Sequence, residues 1–211
     1  MDTCCDKKVE ELAALRNRHS RVLWTVLLIN AAMFFIEAGV GLAAHSSSLL
    51  ADSLDMLGDT VVYGVSLYAL TRGTSWKAGA SLFKGTLMLA LGLSVLIETF
   101  GKLLSPVVPS APTMGLIGGL ALLANGVCFA LLYRHRDDDI NLRSTWRCSR
   151  NDIIGNLGVL GAGGGVALTH SMWPDIVVGA ALATLILLSA ASTIRESYHA
   201  YRNEHRPRPT A

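Results

Sequence analysis

Six stretches of this chain reach, or nearly reach, the roughly 20 mostly apolar residues that a helix needs to cross a bilayer. They are residues 22–44, 48–70, 80–101, 114–133, 147–169 and 176–193. Inside lipid every backbone N–H and C=O must be satisfied within the spanning structure, and for apolar runs of this length that structure is a helix. The composition agrees: 51% of residues are hydrophobic and 16% charged, where a soluble domain carries about 25% charged residues. The connectors are short and rich in turn residues, as in "AHSSS", "TRGTSW", "SPVVPSAPT" and "THSMWPD". The expected fold is an all-α integral membrane protein. Its six transmembrane helices occupy residues 21–194, between an N-terminal tail (1–20) and a short C-terminal tail (195–211).

Charge sets the expected orientation. Lys and Arg cluster in the N-terminal tail (Lys7, Lys8, Arg16, Arg18, Arg21), around the second connector (Arg72, Lys77, Lys84) and in the fourth (Arg134, Arg136, Arg143, Arg147). They return in the C-terminal tail as Arg195, Arg202, Arg206 and Arg208. The first and fifth connectors have none, and the third has Lys102. This bias places both termini in the cytoplasm. A formal net charge of +2 gives no basis for nucleic-acid binding. The apolar run after Arg21 is too long for the core of a secretory signal, so "GLAAHSS" is read as uncleaved. Cys4, Cys5, Cys128 and Cys148 show no disulfide framework and are read as reduced thiols. The glycine-rich run "GNLGVLGAGGGVAL" in the fifth span suits close helix packing inside a bundle.

One span is anomalous. "SLLADSLDMLGDTVVYGVSLYAL" carries Asp52, Asp55 and Asp59, and each aspartate at the centre of a membrane helix costs roughly 3 kcal/mol. At about 100° per residue, Asp55 and Asp59 lie about 60° and 20° from Asp52. The three therefore form one polar stripe, near Ser48 and Tyr63. Asp55 and Asp59, four residues apart, can reach a common point. The fifth span repeats that spacing with Cys148 and Asp152 in "NLRSTWRCSRNDIIGN". Counted from Ser48 on one side and Asn141 on the other, both pairs lie roughly 10 and 16 Å deep. That count lets Arg143, Arg147 and Arg150 line a wet cytoplasmic vestibule. Three carboxylates and a thiolate suit a tetrahedral divalent ion such as zinc. At the midplane of a bundle, such a cluster marks an ion pathway.

These residues carry a resemblance. The second and fifth spans resemble the corresponding helices of the cation diffusion facilitator family, in which a His or Asp precedes an Asp by four residues in each. Asp55, Asp59 and Asp152 match that pattern, and Asp52 falls on an aspartate often found ahead of the first pair. "NAAMFFIEAG" is similar to the family's first helix at Asn30, Phe34 and Glu37. The resemblance covers residues 22–194. It implies a six-helix homodimeric exporter of Zn²⁺, and of Cd²⁺ or Co²⁺, exchanging metal for protons in a cell membrane such as a bacterial inner membrane. It implies no cofactor beyond the transported ion and no enzymatic activity. The metal ligands are then Asp55, Asp59, Cys148 and Asp152, with Asp52 and Glu37 as candidate pathway residues. Three departures stand out. Cys148 replaces the usual His or Asp, which favours softer ions. The second connector lacks the His-bearing loop. The seventeen residues after Ile194 are too few for the family's cytoplasmic domain, so the expectation is a short form.

Metal binding needs its ligands deprotonated, so metal arriving on one side expels protons and protons on the other side expel metal. Asp52 has two open readings, a ligand or a residue near the outer part of the helix that caps it or is solvated by an external funnel. Cys128 reads as core packing, Glu98 as near enough to the outer end to reach water, and Asn125 and Asn156 as interhelical hydrogen-bonding groups. Cys4 and Cys5 read equally as metal-collecting or as plain tail residues. "HRDDDIN" reads as a solvated turn. Two rivals to transport remain. One is a metal-dependent membrane enzyme such as a lipid-linked phosphotransferase, resting on Asp52 and Asp55. The other is a non-transporting metal-binding scaffold.

Overall fold

The structure, a computed structural model, describes the backbone of residues 4–68, 74–134 and 143–204, and the side chains of residues 21–65, 67–68, 79–133 and 152–198. Among the described residues six helices follow one another: α1 (Cys4–Ala43), α2 (Ser47–Tyr68), α3 (Thr74–Leu104), α4 (Ala111–Arg134), α5 (Arg143–Thr169) and α6 (Trp173–Glu204). Five contain stretches long and apolar enough to cross a membrane: Arg21–Ala43, Gly79–Leu104, Ala111–Tyr133, Asp152–Thr169 and Trp173–Tyr198. α2 has the length, at 22 residues, but carries the three aspartates. Several helices outrun their apolar parts, α1 by the whole polar segment from Cys4. That segment, "CCDKKVEELAALRNRHS", is rich in good helix formers. Hydropathy marks the stretch suited to lipid, and helix ends follow other rules.

Two of those ends are closed by histidines in the left-handed region. His45 (φ 52°) ends α1 in a Schellman motif, with Ser46 N–H donating to Gly41 O at 2.9 Å and His45 N–H to Leu42 O at 3.3 Å. His170 (φ 49°) ends α5 through the simpler bond from its N–H to Val166 O at 2.9 Å. Both turns are three residues long, so α1–α2 and α5–α6 are tight antiparallel pairs that share one end of the bundle, here termed the turn end.

α2 is the centre. It touches each of the other five helices, while α3 packs chiefly on α6 and α4 on α5. Leu50, Leu54, Met88, Val95, Ala183 and Ala190 join α2 to the α3–α6 pair. Leu49, Met114, Val159 and Val166 join it to α4 and α5. Large apolar side chains face outwards, among them Phe35 (72% exposed), Ile97 (73%) and Leu104 (89%), while Glu37, Asp52, Asn156 and Asp175 are buried. Such an apolar exterior suits lipid and would be a liability in water.

At Gly179 the backbone of α6 comes close against the start of α2. A Cβ there would sit 2.7 Å from the carbonyl carbon of Ser47 and 2.8 Å from the backbone N of Ser48. Gly119, by contrast, has nothing within 4 Å. Gly179→Ala is therefore expected to lower stability by about 2 kcal/mol through backbone displacement. Gly119→Ala should leave the thermal midpoint in detergent unchanged or slightly raised. Equal effects of the two substitutions would contradict this packing.

Candidate functional site

The site begins with the way α2 is held. Its N-terminus would leave backbone N–H groups unpaired, and the acceptor comes from another helix. Asp175, in the first turn of α6 and fully buried, accepts from Ser47 N–H at 2.8 Å and Ser48 N–H at 3.0 Å. The Ser46 and Ser48 hydroxyls donate to it at 2.7 Å each. Lys102, 5% exposed at the end of α3, completes the cluster. Its Nζ donates to His45 O at 2.7 Å and Ser47 Oγ at 2.6 Å, and pairs with Glu98 at 3.2 Å and Asp175 at 3.4 Å. Three helices are thereby fastened at the turn end around one carboxylate.

From 46 to 54 every residue is buried; Asp55 and Asp59, further along, are partly exposed. Asp52 is 3% exposed, so the reading of a residue solvated by an external funnel is corrected. The Asp175–Lys102 cluster and the packing of α6 close that end over it. Asp52 instead faces α5, with its Oδ1 3.5 Å from where a Cβ on Gly155 would lie. This contact fixes the register of two antiparallel helices. Three residues onward along α2 and three back along α5 reach Asp55 and Asp152; four more reach Asp59 and Cys148. Asp152 is partly exposed like its counterparts, and the Cys148 side chain lies outside the described residues, as do those of Arg143, Arg147, Arg150, Cys4 and Cys5. The count from Asn141 also begins outside them. Among the described residues no three His, Cys, Asp or Glu side chains group closely enough to hold a metal ion.

Several buried polar atoms have no hydrogen-bond partner: both carboxylate oxygens of Glu37, Asp52 Oδ2, Asn156 Oδ1 and Asn125 Nδ2. Asn156 Nδ2 donates to Asp152 O, 2.7 Å away in its own helix. The expected interhelical bonds of Asn125 and Asn156 are therefore not formed. Asn30 supplies one instead, donating to Cys128 Sγ at 3.7 Å. Cys128 is buried among Leu23, Val26 and Leu132, as expected of core packing. Glu98 is part-exposed, and it is bound to Lys102 and to Ser47 Oγ at 3.1 Å. Asp175 and the serines escaped the sequence reading. Their signal was one buried-depth Lys and one Asp in connectors otherwise nearly free of charge.

The cation efflux transmembrane domain profile matches residues 23–200. The chain belongs to the cation efflux family. Within that match lie α2, α5 and all four candidate ligands. Similar proteins include the vacuolar zinc transporter ZRC1 of Saccharomyces cerevisiae, 29% identical over 57% of this chain and 30% of its own length. The zinc homeostasis factor 1 of Schizosaccharomyces pombe is 33% identical over 55% of this chain and 33% of its own length. The zinc transporter ZitB of Yersinia pestis is 26% identical over 87% and 63% respectively. The chain thus spans between about a third and two thirds of these relatives. Membership of a family of cation transporters sets aside the membrane-enzyme alternative, and the chain is a multi-pass membrane protein.

Proposed function

We propose that this chain moves divalent cations, Zn²⁺ first and Cd²⁺ or Co²⁺ as well, across the membrane in exchange for protons. Asp55, Asp59, Cys148 and Asp152 bind the ion in transit. The observation that best supports the reading is the Asp52–Gly155 contact between α2 and α5, from which residue counting along the two helices brings the i/i+4 pairs to one level. The zinc transporters among the relatives support zinc as cargo. The burial of 46–54 beside the partial exposure of Asp55 and Asp59 supports a state reached from the end bearing the termini, and the loop charges support a cytoplasmic side for that end, in a bacterial inner membrane on our proposal. Protons and metal compete for the same oxygens and sulfur, which supports exchange. A homodimer is the proposed assembly.

The test is Zn²⁺ uptake into proteoliposomes carrying a lumenal pH dye. Uptake should be driven by an imposed proton gradient and should change the lumenal pH. Metal flux with no pH change over a range of gradients would refute the exchange, and binding without flux would leave the scaffold reading standing. The thiolate makes a separate prediction. Cys148→Asp should shift the ratio of Cd²⁺ to Mn²⁺ transport by about tenfold towards the harder ion. An unchanged ratio would make Cys148 a packing residue.

A further inference from the structure

Among the described residues, two of the buried acids outside the proposed four-ligand site have unusual surroundings. Glu37 on α1 is fully buried and neither carboxylate oxygen meets a donor. Asp52 on α2 is almost as deep, with Oδ2 equally unmatched. α1 packs antiparallel on α2, with Gly41 against Leu49 and Leu50, so one turn further along the pair brings Glu37 level with Ser53 and Leu54, beside Asp52. On α5, Asn156 follows the glycine that Asp52 touches. Its Nδ2 is held by its own helix, and its buried Oδ1 is unmatched. Three helices thus bring four unmatched acceptor oxygens to the depth of Asp52. A buried acceptor without a donor costs about 1–3 kcal/mol, more when charged. The other buried acid at that side, Asp175, is saturated by donors. The contrast separates an acid that builds the fold from acids that wait for a ligand.

We propose that Glu37, Asp52 and Asn156 form a second cation station, one helical turn towards the turn end from Asp55, which takes the divalent ion after it leaves the first site. The inference rests on the transport reading for the ion's direction of travel. An all-oxygen donor set holds zinc or cadmium less tightly than a set with a thiolate. A station on an exit path must bind strongly enough to be entered and weakly enough to be left. Asp175, Lys102 and Glu98 lie beyond it, so an ion resting here has one closure left to pass.

The experiment is equilibrium dialysis of Zn²⁺ against the full chain purified in detergent, with flux measured in parallel. The parent should bind two ions per chain, one tight and one weak. Glu37→Gln and Asp52→Asn, both close to isosteric, should each weaken the second ion by about tenfold or more and leave the first unchanged; the retained tight ion certifies the fold. Asp59→Ala should remove the tight ion and keep the weak one. A parent that binds one ion, lost in Asp59→Ala, overturns the second station and leaves the first intact. A parent with two ions, of which Asp59→Ala removes neither and Glu37→Gln weakens one, upholds the station and overturns the first site. If neither Glu37→Gln nor Asp52→Asn affects the weak ion, or both weaken the two ions alike, the station is overturned. A parent with one ion, in which Glu37→Gln alters only the pH dependence of flux, makes the pair a proton relay and also overturns it.

Discussion

Asp59→Ala is expected to reduce Zn²⁺ transport in proteoliposomes by at least about a hundredfold, with the protein still folded and inserted. The magnitude follows from the ligand count. Removing even an outer partner of a metal ligand costs about 10–100-fold in affinity or activity, and Asp59 is proposed as a ligand itself. Asp59 also lies five residues, about one and a half turns, beyond the buried 46–54 segment. Its side chain is part-exposed, so its loss leaves the α2 packing layer untouched. Asp59→Asn, which keeps the volume and one oxygen, should fall between the parent and the alanine variant. Normal flux in Asp59→Ala would mean that the ions pass elsewhere, and the assignment of all four ligands would go with it.

The second large effect concerns stability. Asp175→Ala removes the acceptor for two backbone N–H groups and two hydroxyls and one of the two carboxylates paired with Lys102. Breaking a buried pair by deleting one partner costs about 3–5 kcal/mol. Glu98 remains beside Lys102, which favours the lower end. For a chain of this size each kcal/mol moves the melting midpoint by about 2–4 °C, so a loss of about 6–12 °C is expected in detergent. Asp175→Asn keeps the shape and one acceptor and should lose less. Combining Asp175→Ala with Lys102→Met should recover part of the loss, because the stranded cation goes too. A double variant less stable than the parent by the sum of the two single effects would show that the two residues act independently.

Much of this fold can be read from residues that act locally. A run of some twenty apolar side chains specifies a helix and a lipid exterior with little help from elsewhere, and the i/i+4 spacing of Asp55 with Asp59 needs only helix geometry. The helix ends were less legible, because "VEELAALRNRHS" continues α1 on propensity where hydropathy has stopped. Asp175 and Lys102 were illegible for a deeper reason. Each looked like a connector charge, and their meaning arises only where α2, α3 and α6 converge. Asp52 was ambiguous in the same way, since solvated and buried aspartates look alike until the neighbouring helix is placed. Gly155, one of many glycines in its span, gave no sign of being the one that admits a carboxylate.

The carboxylate that caps α2 arrives 123 residues after Asp52, on the last helix of the chain. A ribosome feeding this protein into a membrane delivers the span with three aspartates second and the group that finishes that span last. Until α6 enters, the first turn of α2 has no acceptor and its serines have no anchor. A nascent chain halted before Trp173 therefore holds five helices around an unfinished centre, and the final insertion step is the one that seals it.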